Sequence, residues 1–70
     1  MATYKASKYG ERIKHLRQDK GFTQQRIADH LGWSQAEISQ MENGIRVITL
    51  DNAVDIADVL GVSIADIVGE

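Results

Sequence analysis

The side chains of this chain best suited to reading a base edge are its amides and short hydroxyls. They crowd into one stretch, TQQRIADHLGWSQAEISQMENG at positions 23–44. The stretch reads as two short amphipathic helices joined by a tight turn at Gly32-Trp33-Ser34. The second helix offers short polar side chains on one face and an apolar stripe on the other. Such a helix can lie in a DNA major groove while its back stays anchored to a core. Other chemistries lack their parts. His15 and His30 stand alone, with no second histidine or cysteine at ligand spacing, and are expected on the solvated surface. There is no cysteine, hence no disulfide framework and no Cys-based zinc site. No nucleophile–base pair and no Gly-rich phosphate loop stands out, so neither an enzyme nor a cofactor is expected.

Seventy residues make one small domain, whose core must offset an ordering cost of roughly 1.5 kcal/mol per residue. No run approaches the ~18 apolar residues of a membrane span, and no signal-peptide pattern opens the chain. A cytoplasmic protein with no membrane partner is expected. Net charge is −2, which at first argues against nucleic acid. The distribution argues the other way. Positions 1–50 hold all eight Lys and Arg against five acids, a net +3, whereas positions 51–70 hold five acids and no base, a net −5. A basic end can face phosphate while the acidic end points away.

Five helices are expected around that stretch, in a single all-α domain. Positions 1–6 read as a flexible polar arm. A first helix over about 7–20 carries Tyr9, Ile13 and Leu16 on one face, and Gly21 ends it. Thr23 caps the second, whose buried stripe is Ile27, Ala28 and Leu31. Ser34 opens the third, with Glu37 completing a capping box and Ile38 and Met41 pointing inward. Asn43-Gly44 stops it. Positions 45–50 alternate loosely, but a lone strand has no partner, so they read as a connector. Thr49 caps the fourth helix, with Asp51 favouring its dipole and Leu50, Ala53, Ile56, Ala57 and Leu60 as its core face. After Gly61, Ser63 and Asp66 cap a last short helix bearing Ile64, Ile67 and Val68.

Several pieces in order carry a resemblance: GERIKHLRQDKGFTQ, IADHLGWSQAEIS, MENG and AVDIADVLGVSIADIV. Over about residues 9–68 the chain resembles the helix-turn-helix family of phage repressor and Cro proteins. That family includes the small stand-alone regulators of restriction-modification operons. The resemblance implies a compact five-helix lambda-repressor-like fold, with the helix-turn-helix proper at about 23–43. Small Ala28 suits the crossing of helices two and three, and Gly32 the tight turn. Trp33 departs from the family, which more often has Val, Ile or Met there; it either covers the core edge or touches the DNA backbone, and core-edge packing is favoured.

By the same resemblance, base edges would meet Gln35, Ala36, Glu37, Ser39 and Gln40. Gln35 and Gln40 can each pair bidentately with adenine N6 and N7, and Ala36 can touch a thymine methyl. Glu37 either accepts from cytosine N4 or caps its own helix, and the cap is favoured. Phosphate contacts would fall on Gln24, Asn43, Arg46 and the amides at Thr49. Gln24 would also brace Gln35. Arg12, Lys14 and Arg26 are expected as solvated surface. Arg17 and Glu42 match a buried ion pair of some family members.

The function implied is a sequence-specific regulator that binds double-stranded DNA as a homodimer on a palindromic operator, in a bacterial or phage setting. With no effector domain in view, concentration and operator arrangement would set control. Ile45, Val47 and Ile48, with Ile64 and Ile67 of the last helix, are the candidate dimer surface. Two rivals are the antitoxin of a toxin–antitoxin pair and a protein-interaction module on the same fold. A protein partner, toxin or RNA polymerase, is compatible with either regulator or antitoxin.

Overall fold

The computed structural model describes the backbone of residues 2–69 and the side chains of residues 8–69. The described residues form five α-helices: α1 (Ala2–Asp19), α2 (Gln24–Leu31), α3 (Gln35–Glu42), α4 (Leu50–Leu60) and α5 (Ile64–Val68). No strand occurs among them, and 45–49 is a connector, as the lack of a partner strand led one to expect, while Leu50 already belongs to α4. α3 packs on both α1 and α2, while α4 packs on α2 and α5, and α1 closes the bundle against α5. Ile13, Ile27, Ile38, Met41, Ile56 and Ile67 are fully buried at the centre.

Helix ends follow local chemistry. Thr23, Ser34, Thr49 and Ser63 each sit in extended backbone and accept a hydrogen bond from the N–H three residues on. The last three are full capping boxes, reciprocated by Glu37, Asn52 and Asp66. Each box satisfies two N–H donors that the helix itself leaves open. α2 ends at Gly32, whose φ of 74° is the left-handed conformation that lets the chain turn at once into α3.

Four expectations are corrected. The first helix starts at Ala2 and absorbs positions 2–6, read above as an arm. No proline interrupts positions 2–6, and Ala2 and Ala6 favour helix, so the capping-type Ser7 does not start it. Leu50 is 69 % exposed, because the apolar stripe of α4 runs beyond its neighbours at the first turn. Ile67 is 0 % exposed and belongs to the core, so it cannot form a dimer surface. Arg12 is not a solvated cation. Its Nη1 donates to the carbonyls of Ile67 (3.0 Å) and Gly69, tying α1 to the end of α5.

Gly10 shows why glycine stands in the middle of α1. A Cβ built there would lie 2.1 Å from the Met41 carbonyl oxygen and 3.2 Å from Glu42 Cα, so α1 and α3 cross nearly backbone to backbone. Propensity alone favours alanine by about 0.5–1 kcal/mol. Overpacking against rigid backbone opposes it by about 1–3 kcal/mol or more. Gly10→Ala is therefore expected to lower the melting temperature, although it improves the helix locally. A rise on thermal unfolding would show that the crossing relaxes at no cost.

Candidate nucleic-acid interface

α2 and α3 have eight residues each, too short to hold their shape alone. Their mutual position comes from buried stripes. Ile27 and Ala28 of α2 face Ile38 and Met41 of α3, and all four are fully buried. The opposite face of α3 is left to solvent. Gln35, Ala36 and Gln40 are exposed, and Ser39 is half-buried.

A continuous polar chain runs from the core to that face. Arg17 Nε donates to Glu42 Oε2 at 2.6 Å, and Nη2 donates to Oε1 at 3.1 Å. Both residues are buried, Arg17 at 9 % exposure and Glu42 at 4 %. Arg17 Nη1 also donates to the Phe22 carbonyl at 2.8 Å, holding the loop before α2. Gln24 Nε2 donates to Glu42 Oε1 at 2.9 Å. Gln24 Oε1 in turn accepts from Gln35 Nε2 at 2.5 Å. The first amide of α3 is thus braced by α2, and α2 by the buried carboxylate. Among the described residues no buried side-chain polar atom lacks a partner.

A second cluster lies at the α3 entrance. Glu37 Oε1 accepts from the Ser34 backbone N–H at 2.8 Å, and Oε2 accepts from Arg46 Nη1 at 2.8 Å. The Ser34 N–H, above all, holds the Glu37 carboxyl below the ordinary range. The Ser34 hydroxyl and the Arg46 guanidinium act the same way, against a partial desolvation. Glu37 is both cap and counter-ion, with each carboxylate oxygen engaged. The Arg46 guanidinium lies 4.3 Å over the Trp33 ring, and that of Arg26 lies 4.0 Å over Phe22. Trp33 is half-buried and packed against the core cluster, which agrees with core-edge packing. Its outer face nonetheless carries a cation.

The remaining candidates lie nearby. Asn43 Nδ2 donates to the Ser39 carbonyl at 2.9 Å, so that amide helps to close α3. The Thr49 hydroxyl accepts from Asn52 N–H at 3.1 Å. Ile45 (74 % exposed) and Val47 (62 %) are open, whereas Ile48 and Ile64 are partly packed on the core. Sequence reasoning missed three links: Gln24 to Glu42, Arg46 to Glu37, and Arg46 to Trp33. Each joins residues from different elements, and no local pattern announces them. Among the described residues no group of His, Cys, Asp or Glu could hold a metal, and no helix is long and apolar enough to cross a membrane.

This arrangement of two short helices about a glycine turn, with an exposed polar face on the second, is that of a helix-turn-helix protein. A family profile described as Helix-turn-helix matches residues 13–67. The chain belongs to that family, one of transcriptional regulators with a DNA-binding helix-turn-helix domain rather than of enzymes. It is 36 % identical over 59 residues to the HTH-type transcriptional regulator y4dJ of Sinorhizobium fredii (strain NBRC 101917 / NGR234), spanning 84 % of this chain and 77 % of the relative. It is 38 % identical over 55 residues to the SPbeta prophage-derived HTH-type transcriptional regulator YonR of Bacillus subtilis (strain 168). That match spans 79 % of this chain but only about half, 51 %, of the relative. The fold is similar to the crystal structure of the restriction-modification controller protein C.AhdI from Aeromonas hydrophila. The TM-score is 0.81 at 27 % identity, covering 89 % of this chain and 94 % of that one.

The buried pair yields a stability prediction. Removing one partner strands the other charge and costs about 3–5 kcal/mol. Each kcal/mol moves the melting temperature of a domain this size by about 4–8 °C. Glu42→Ala should therefore lower it by more than about 12 °C, and replacing both Arg17 and Glu42 with apolar residues should recover much of the loss. A drop of a degree or two in Glu42→Ala, read by circular dichroism, would show that the pair holds nothing.

Proposed function

We propose that this chain is a sequence-specific regulator that binds duplex DNA as a homodimer on a short operator with two-fold symmetry. α3 would lie in the major groove. The observation that carries this reading is the mount of Gln35. It is exposed at the start of α3, yet held by Gln24, which is itself held by the buried Glu42. A side chain fixed in this way reads a base with little loss of rotamer freedom. Gln35 and Gln40 would pair with adenine, Ala36 would meet a thymine methyl, and Ser39 would contact an adjacent base edge. Glu37 would serve mainly as the cap. Arg46, Asn43, Gln24 and the amides at Thr49 would contact phosphate. The resemblance to a controller protein in fold supports an operator-binding role.

A single helix-turn-helix reads few base pairs, so pairing of two copies is the economical route to affinity. With Ile67 in the core, the support for a dimer shifts to exposed apolar side chains. Leu50 (69 %) and Val54 (49 %) of α4 join Ile45 and Val47. Val47→Asp is expected to yield a folded monomer with weakened operator binding. Sedimentation showing an unchanged dimer would remove this surface from consideration.

Reading and holding are separable. Gln35→Ala should cost about 1–3 kcal/mol on the preferred site and relax one symmetric base-pair position. Arg46→Ala should weaken all sequences about equally and reduce the salt slope by about one per subunit. Selection from a random duplex pool supplies the site, and titrations across salt on specific and scrambled duplexes read both effects. If Gln35→Ala leaves site preference intact, α3 is not reading bases.

A further inference from the structure

Arg46 is held on two sides before any ligand arrives. Its guanidinium lies 4.3 Å over the Trp33 ring, and its Nη1 donates to Glu37 Oε2 at 2.8 Å. Trp33 packs on the core, and its backbone N–H donates to the Ala28 carbonyl at 2.9 Å, so the residue that carries the platform is held by the turn and the ring by its packing. Glu37 differs. Its other oxygen remains anchored to the Ser34 N–H at 2.8 Å, so the carboxylate keeps its capping role whether or not Arg46 is present. One partner of Arg46 is thus a stacking face that asks for no charge, and the other is an anion that another anion can replace.

We propose that Trp33 is a positioning residue for Arg46, and that Glu37 is the counter-ion that duplex DNA displaces. A backbone phosphate takes the guanidinium over from the carboxylate while the indole stays stacked beneath it. The proposal rests on the DNA-binding reading above. The physical gain is pre-ordering. A free arginine loses much rotamer freedom when it is fixed on a phosphate, and here the indole has fixed most of it beforehand. Displacement sets the cost. Glu37 stays ionised beside the DNA, so every duplex is opposed by one carboxylate per subunit. Non-specific binding, which consists almost wholly of phosphate contacts, is opposed in the largest proportion.

The test uses the unsubstituted protein and five variants, one of them a double, each checked for its helical signal. Trp33 is the only tryptophan, so its fluorescence reports the stack directly. Arg46→Ala should raise collisional quenching of Trp33 by acrylamide in the free protein; unchanged quenching would overturn the platform. Trp33→Leu keeps apolar cover but has no π face. It should weaken specific and scrambled duplexes alike by about 2- to 5-fold, the range of an exposed cation–π contact, and Trp33→Phe should restore most of the loss. In an Arg46→Ala background, Trp33→Leu should cost nothing further; an equal additional loss would mean that the indole acts without Arg46. Glu37→Gln preserves the capping box and should bind both duplexes more tightly, with a steeper salt dependence. Weaker binding would overturn the displacement, and this arm stands even if Trp33→Leu unfolds. If the unsubstituted protein shows no salt-sensitive binding to any duplex, the DNA reading falls and the exchange falls with it. The quenching result still decides the stack on its own.

Discussion

The buried pair of Arg17 and Glu42 is the interaction on which the arrangement of this molecule depends. Two charges removed from water cost several kcal/mol each after relaxation, and their attraction offsets this only if the geometry is good and the remaining valences are filled. Here they are filled. Both carboxylate oxygens meet the guanidinium, a third guanidinium nitrogen meets the Phe22 carbonyl, and the Gln24 amide completes the carboxylate. An apolar pair of the same volume would support the fold as well or better. It would not specify where α2 stands relative to α3. The pair joins α1 to α3, the loop before α2 to α1, and through Gln24 the side chain that opens α3.

That joining matters because α2 and α3 are short. Two turns of helix have little stability of their own, so their caps set where they begin and the core sets how they cross. Gly10 contributes by subtraction. Without a side chain there, α1 lies against the Met41 carbonyl, which brings Arg17, on the same helix, within reach of Glu42. Arg12, between them in sequence, holds the far end of α5. α1 is therefore the spine to which both the reading helix and the last helix are attached.

The electrostatics show how a protein of net charge −2 can still suit a polyanion. Acidic positions 51–70 belong mostly to α4 and α5, whereas the cations belong to α1, the turn after it, α2 and the connector after α3. Two arginines, Arg26 and Arg46, lie on aromatic faces at the residues just before the caps of α2 and α3. An aromatic at that position thus does two things: its inner edge covers the core and its outer face orders a cation.

The sequence by itself determined the helical class, the number of helices and nearly all their ends. These are local matters: a capping oxygen meets an N–H three residues away, a glycine adopts positive φ, and an apolar stripe repeats every three or four residues. It also carried the helix-turn-helix pattern and the pairing expected of Arg17 with Glu42, which rested on resemblance rather than on spacing. The start of α1 was not legible because nothing local interrupts helix before Ser7. The standing of Leu50 and Ile67 was not legible either. Periodicity tells which face of a helix a residue occupies, not whether a neighbour reaches that face: Leu50 lies past the end of its contacts, and Ile67 lies under α1. Only the tertiary structure decided that Gly10 is a crossing point, that Gln24 joins the buried carboxylate to the reading amide, and that Glu37 and Trp33 share Arg46. Each of these depends on side chains from different elements meeting in space, and that distance is set by the packing of the whole core rather than by any stretch of chain.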